Sequence, residues 1–90
     1  MTDTPERDLI SPAMIRAARG LLGLSQADLA EKAKLNQRTV SKVEEDAGSS
    51  RDPRRLRVLD TLQETFEAEG VEFIFPGEAT GEGVRRRKAD

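Results

Sequence analysis

Gln37, Arg38, Ser41 and Lys42 offer an amide, a guanidinium, a hydroxyl and an ammonium at a spacing that gathers them on one face of an α-helix. Such a set suits hydrogen bonding to base edges and phosphate oxygens. Other chemistry is poorly supplied. The chain has no Cys and no His, which removes disulfides, thiolate nucleophiles, imidazole bases and almost every zinc geometry. Its 17 carboxylates include no paired set with a pocket-forming context and no metal-ligand spacing. Neither an enzyme nor a bound cofactor or metal is expected.

The 90 residues, 36% apolar, suffice for one compact domain with tails. Three Phe with no Trp or Tyr imply a core of Leu, Val, Ile and Ala carried on helices. No apolar run is long enough to span a bilayer, and Met1 to Asp8 is polar and acidic, so a cytoplasmic protein with no membrane association is expected. A net charge of −2 opposes phosphate binding, but the charge is uneven, with nets of −2 over residues 1–10, +3 over 11–60 and −3 over 61–90. Positive charge collects in the middle of the chain. The plain alternative is a mixed, solvated surface.

Several elements must position those side chains. Residues 1–10 lack periodicity and read as a flexible arm. Ser11 before Pro12 is a helix start, because Ser can accept from an orphan N–H and Pro at the first position has none to lose. Met14, Ile15, Ala18, Leu21 and Leu22 then form an apolar stripe that Gly23 ends. Ser25 caps a short second helix, Gln26 to Ala33, buried through Leu29, Ala30 and Ala33. Asn36 caps a third through Glu45, whose inner face is Val40 and Val43. Residues 46–51 read as a loop. Asp52 and Pro53 open the longest helix, with Leu56, Leu59, Leu62 and Phe66 in register and an end near Gly70. Val71 to Phe75 is β-branched and aromatic between Gly70 and Pro76, so it reads as a strand. A second short strand near Val84 to Arg87 would pair with it in a hairpin.

Two short helices joined by a tight turn hold the third helix at a fixed angle with its polar face outward, a helix-turn-helix unit. Ala30 sits where the pair would cross, and Leu29, Leu35, Val40 and Val43 would lock it onto the first helix. The segment Leu24-Ser25-Gln26 with Leu29-Ala30, the run Thr39-Val40-Ser41-Lys42-Val43-Glu44 and the order of four helices resemble the Cro and phage-repressor class, the Xre family. The resemblance covers Ser11 to Leu62. It implies a mainly α, lambda-repressor-like four-helix DNA-binding domain over 11–70, to which the residues themselves add a C-terminal strand or hairpin and basic tail over 71–90 as a dimerisation element. It further implies that Gln26 contacts phosphate, that Asn36, Gln37, Arg38, Ser41 and Lys42 face DNA with Thr39 beside them, and that Arg19 and Glu44 pair between helices one and three. Two departures stand out. Lys34 occupies a turn position usually held by Gly, which takes positive φ readily, and the strand from Val71 replaces a usual fifth helix.

Each residue has a duller reading. Arg19 and Glu44 suit a structural ion pair. Gln26 could be a solvated helix start, and Gln37, Arg38 and Lys42 an ordinary wet face. Arg51 and Arg54 flank a helix N-terminus on the same side and are candidates for phosphate contact, while Arg85 to Lys88 could bind DNA nonspecifically or merely solubilise the chain end. The expected function is a dimeric repressor on double-stranded DNA, with Val71, Phe73, Ile74 and Phe75 in strands that pair between subunits, as C-terminal strands do in some antitoxin relatives. The alternatives are an activator touching RNA polymerase through Glu31, Glu45 or Asp46, and an antitoxin or adaptor whose main partner is a protein such as a toxin.

Overall fold

The computed structural model describes residues 9–45, 52–77 and 79–88. The chain runs α1 (Pro12–Leu22), α2 (Gln26–Ala33), α3 (Gln37–Glu45), α4 (Pro53–Ala68), β1 (Val71–Ile74) and β2 (Gly83–Arg86). It is a four-helix domain with a C-terminal antiparallel hairpin. The helix starts follow from their caps. The Ser11 hydroxyl accepts from the Met14 amide at 3.1 Å before Pro12, and Asp52 accepts from the Arg54 amide at 2.8 Å before Pro53. The helix ends are equally local. Gly23, at φ 68°, lets its own amide reach the Gly20 carbonyl and that of Leu24 reach Arg19, closing α1 with a left-handed residue.

The core is aliphatic. Met14, Ile15 and Ala18 of α1, Leu29, Ala30 and Ala33 of α2, Val40 and Val43 of α3, and Leu59, Leu62 and Phe66 of α4 are buried together with Val71. Leu21, Leu22 and Leu56, expected on the apolar stripes, are only half-buried. Ile10 is 2% exposed and Leu9 packs against the cluster. Ile10 therefore belongs to the core and Leu9 packs on it, a correction to the expected arm over 1–10, because both apolar side chains lie against the cluster. Residues 1–8 lie outside the described residues.

In the hairpin Val71 faces Arg86, Glu72 faces Arg85, Phe73 faces Val84 and Ile74 faces Gly83. Strand alternation puts Val71 and Phe73 on the inner side. The Phe73 ring meets Phe66 edge-on with centroids 5.9 Å apart, and Phe75 and Val84 also pack on the core. β2 lies along α1, where Glu82 accepts from the Ser11 hydroxyl at 3.0 Å and Arg86 donates to the Leu21 carbonyl. No helix among the described residues is long and apolar enough to cross a membrane.

Candidate nucleic-acid interface

The turn between α2 and α3 is built from short-range bonds. Ser25 and Asp28 form a reciprocal box, each side chain accepting from the other's amide at 3.0 Å. The Ser25 amide, and then its side chain, hold the Asp28 carboxyl below its ordinary value. At the far end Lys34 takes φ 59°, the left-handed conformation that Gly would adopt more cheaply. Its amide reaches Glu31 at 3.2 Å while the Leu35 amide reaches Ala30 at 2.8 Å. The next cap follows at once, as Asn36 Oδ1 accepts from the Arg38 amide at 2.9 Å. Three capping steps thus set where α3 begins relative to α2.

The two sides of α3 differ sharply. Val40, Val43 and Glu44 are buried, whereas Gln37, Arg38 and Lys42 are exposed and Thr39 and Ser41 are half-buried between them. The exposed side chains stand on the face that the 3.6-residue period assigns them. Asn36 is exposed with its side-chain oxygen already spent on the cap, and the Ser41 hydroxyl donates to Glu45 at 3.3 Å. Thr39 and Lys42 border a cleft whose far wall carries Arg54 and Val58 of α4. Arg54 is exposed there. Arg51, the other cation expected beside this helix start, lies outside the described residues, as does Asp46.

Glu44 ties the recognition unit together. Its carboxylate, 4% exposed as a residue, accepts from Arg19 Nε and Nη2 at 2.8 Å each, a two-pronged ion pair between α1 and α3. That hydrogen bond is the largest cause holding the Arg19 guanidinium above its ordinary value, with the carboxylate charge adding to it against the cost of burial. Gln26 Nε2 donates to Glu44 Oε1 at 3.1 Å. The carboxylate has only acceptors, so it orients the Gln26 amide with its NH2 end inward. The remaining Arg19 nitrogen, Nη1, donates to the Leu24 carbonyl at 3.1 Å, tying α1 to the residue before α2.

Arg16 escaped the sequence reading. Its Nη1 donates to the Glu44 carbonyl at 2.7 Å, a cation near the C-terminal end of α3 where the helix dipole favours one. The available signal was its spacing of three from Arg19, which places both on one side of α1. The cations near the chain end also find intramolecular partners. Arg85 pairs with Glu72 at 2.7 Å, Arg86 reaches the end of α1, and Arg87 donates to the Glu67 carbonyl at 3.4 Å. The structure thus gathers Gln26, Asn36, Gln37, Arg38, Thr39, Ser41 and Lys42 around α3, with Arg54 across the cleft. Val71, Phe73, Ile74 and Phe75 sit apart from them in the hairpin region.

A family model described as helix-turn-helix matches residues 15–60, which run from within α1 through α2 and α3 to the middle of α4. No curated protein matches the chain.

Proposed function

Since this chain belongs to the helix-turn-helix family of Xre, Cro and lambda-repressor-like regulators, whose members bind DNA to regulate transcription, we propose that it acts as a dimeric repressor reading operator half-sites through α3. The observation that carries the reading is the division of α3. Val40, Val43 and Glu44 are engaged inside, while Gln37, Arg38 and Lys42 stand exposed on a helix whose start is fixed by consecutive caps. A rigid support with a polar, hydrogen-bonding outer face is what reading a major groove requires.

Arg38 is assigned to guanine O6 and N7, Gln37 to adenine N6 and N7, and Lys42 to guanine or phosphate. Thr39, Ser41 and Asn36 sit at the margin of that face. Gln26 is assigned a phosphate contact through the Nε2 hydrogen not donated to Glu44, and Arg54 another from across the cleft. One domain spans too few base pairs for a genomic site, so two copies occupy half-sites about one helical turn apart. The hairpin region that carries Val71, Phe73, Ile74 and Phe75 joins them. Repression follows from occupancy of the promoter.

The test is a titration of wild type and Arg38→Ala against an operator and all its single-base variants. Losing a base contact costs about 1–3 kcal/mol and relaxes specificity at one base pair. Uniform weakening across every variant would remove the base-reading role of Arg38. Arg54→Ala is expected to weaken all sequences alike and to lower the slope of log K against log salt by about 1.

A further inference from the structure

We propose that β2 is a strap across α1 whose two end charges, Glu82 and Arg86, are positioning residues for the DNA-reading helix α3. The inference rests on α3 as the reading element and goes beyond it to what holds that helix in place. Side chains alternate along a strand, so Glu82, just before β2, shares one face with Val84 and Arg86. That face is turned toward the body of the domain. Val84 packs on the core, the Glu82 carboxylate accepts from the Ser11 hydroxyl at 3.0 Å, and Arg86 donates to the Leu21 carbonyl. Ser11 is the N-cap of α1 and Leu21 lies in its last turn. From Glu82 to Arg86 the strand spans roughly 13 Å, and from Ser11 to Leu21 the helix rises roughly 15 Å, so side-chain reach closes the difference. An anion thus meets the N-terminal end of α1 and a cation its C-terminal end, the order that the helix dipole favours.

α1 does not supply these groups itself. Its first turn has no acidic residue, and Arg19, the basic residue of its last turn, is committed to Glu44 and to the Leu24 carbonyl. The last carbonyls of a helix need partners from outside the helical ladder. The Gly23 and Leu24 amides serve Gly20 and Arg19, and Arg86 serves Leu21 from β2. Gly20 makes that turn the weak one, since glycine favours a helix less than any residue but proline. It stands in open space, where an added Cβ would meet nothing within 4 Å.

The same turn carries the link to α3. Arg19 leaves it to hold the Glu44 carboxylate through Nε and Nη2 at 2.8 Å each, and Arg16, one turn earlier, donates to the Glu44 carbonyl at 2.7 Å. Glu44 in turn accepts from Gln26 at the start of α2. Fraying of the last turn of α1 therefore loosens α3 and the start of α2 together. A protein whose binding-competent state is depleted binds its ligand more weakly in proportion. Arg85 and Arg87 stand on the opposite face of the strand, paired with Glu72 at 2.7 and 3.8 Å, and take no part in the strap.

The first readout is amide hydrogen exchange on the full chain without DNA, for Arg86→Ala, Glu82→Gln and Arg85→Ala, the last removing a charge from the outer face as a control. A charge matched to a helix end shifts the local equilibrium about two- to fivefold. Measured against the Leu62 and Phe66 amides of α4, Arg86→Ala should speed exchange at Gly23 and Leu24 by that factor, Glu82→Gln should do so at Met14, and Arg85→Ala at neither end. Adding Gly20→Ala should return the Arg86→Ala rates toward wild type. Unchanged exchange at either end would overturn the strap. The second readout is affinity for a duplex that the wild type selects from a random-sequence pool, titrated at several salt concentrations. Arg86→Ala should weaken binding about two- to fivefold with an unchanged slope of log K against log salt, and Gly20→Ala should restore it. A slope smaller by about 1, without rescue, would make Arg86 a phosphate contact and overturn its positioning role. Faster exchange with unchanged affinity would overturn the link from α1 to α3. A wild type that selects no duplex would overturn the DNA-reading function and the positioning role with it, while the exchange rates would still decide whether β2 holds α1.

Discussion

Arg19→Ala should be among the most damaging single changes outside the apolar core, although it removes a side chain that is 21% exposed. The cost lies with its partner. The Glu44 side chain is 3% exposed and would keep one side-chain donor, the Gln26 amide at 3.1 Å, in place of three. Breaking a buried ion pair by removing one partner costs about 3–5 kcal/mol. The surviving amide contact puts this case near the lower end, about 3 kcal/mol. In a domain of this size each 1 kcal/mol moves Tm by roughly 4–8 °C, so Tm should fall by about 12–24 °C. Glu44→Gln keeps the shape and one acceptor and leaves the guanidinium its access to water, which argues for about 2 kcal/mol. The two losses share one interaction, so the double variant should cost about 3 kcal/mol, with a coupling of about 2 kcal/mol. Urea and thermal unfolding followed by circular dichroism on all four proteins gives that cycle directly. A loss below about 1 kcal/mol for Arg19→Ala, or simple additivity in the double variant, would show that Glu44 is not the anchor assigned here.

Three further outcomes are expected. Lys34→Gly should stabilise the domain by about 0.5 kcal/mol, because the left-handed conformation costs an L residue about 1–2 kcal/mol and glycine returns part of it through unfolded-state entropy; a lower urea midpoint would contradict the strain. The Asp28 carboxyl is held below its ordinary value, first by the Ser25 amide. Its contribution is therefore present above the unfolded value and lost as pH falls through the folded one, so Asp28→Asn should flatten the decline in stability below about pH 4, and superimposable curves would remove this role. Phe66→Ala should cost about 3–5 kcal/mol, and a cycle of Phe66→Leu with Phe73→Leu should show a coupling of about 0.5–1.5 kcal/mol from the edge-on rings. No measurable coupling there would separate the hairpin from the core energetically.

Legibility in the sequence followed range. Ser11 with Pro12, Ser25, Asn36 and Asp52 with Pro53 announce helix starts because each acts on amides two or three positions away. The left-handed Lys34 was anticipated through the family resemblance, at a turn position usually held by Gly. The Arg19 and Glu44 pair, 25 positions apart, was anticipated through the family resemblance and not from spacing. Nothing nearby in the chain marked Ile10 as core, Arg16 as a partner of the Glu44 carbonyl, or Gln26 as a donor to its carboxylate.

The division has one physical cause. Backbone capping and apolar periodicity involve residues within about a turn of one another, so the sequence by itself determined four helices, their limits within a residue or two, a terminal strand pair and the polar outer face of α3. Burial and long-range hydrogen bonding depend on which surfaces meet once the helices have packed. The tertiary structure therefore decided that Glu44 would be the shared anchor of three side chains and that Arg85, Arg86 and Arg87 would find partners within the chain.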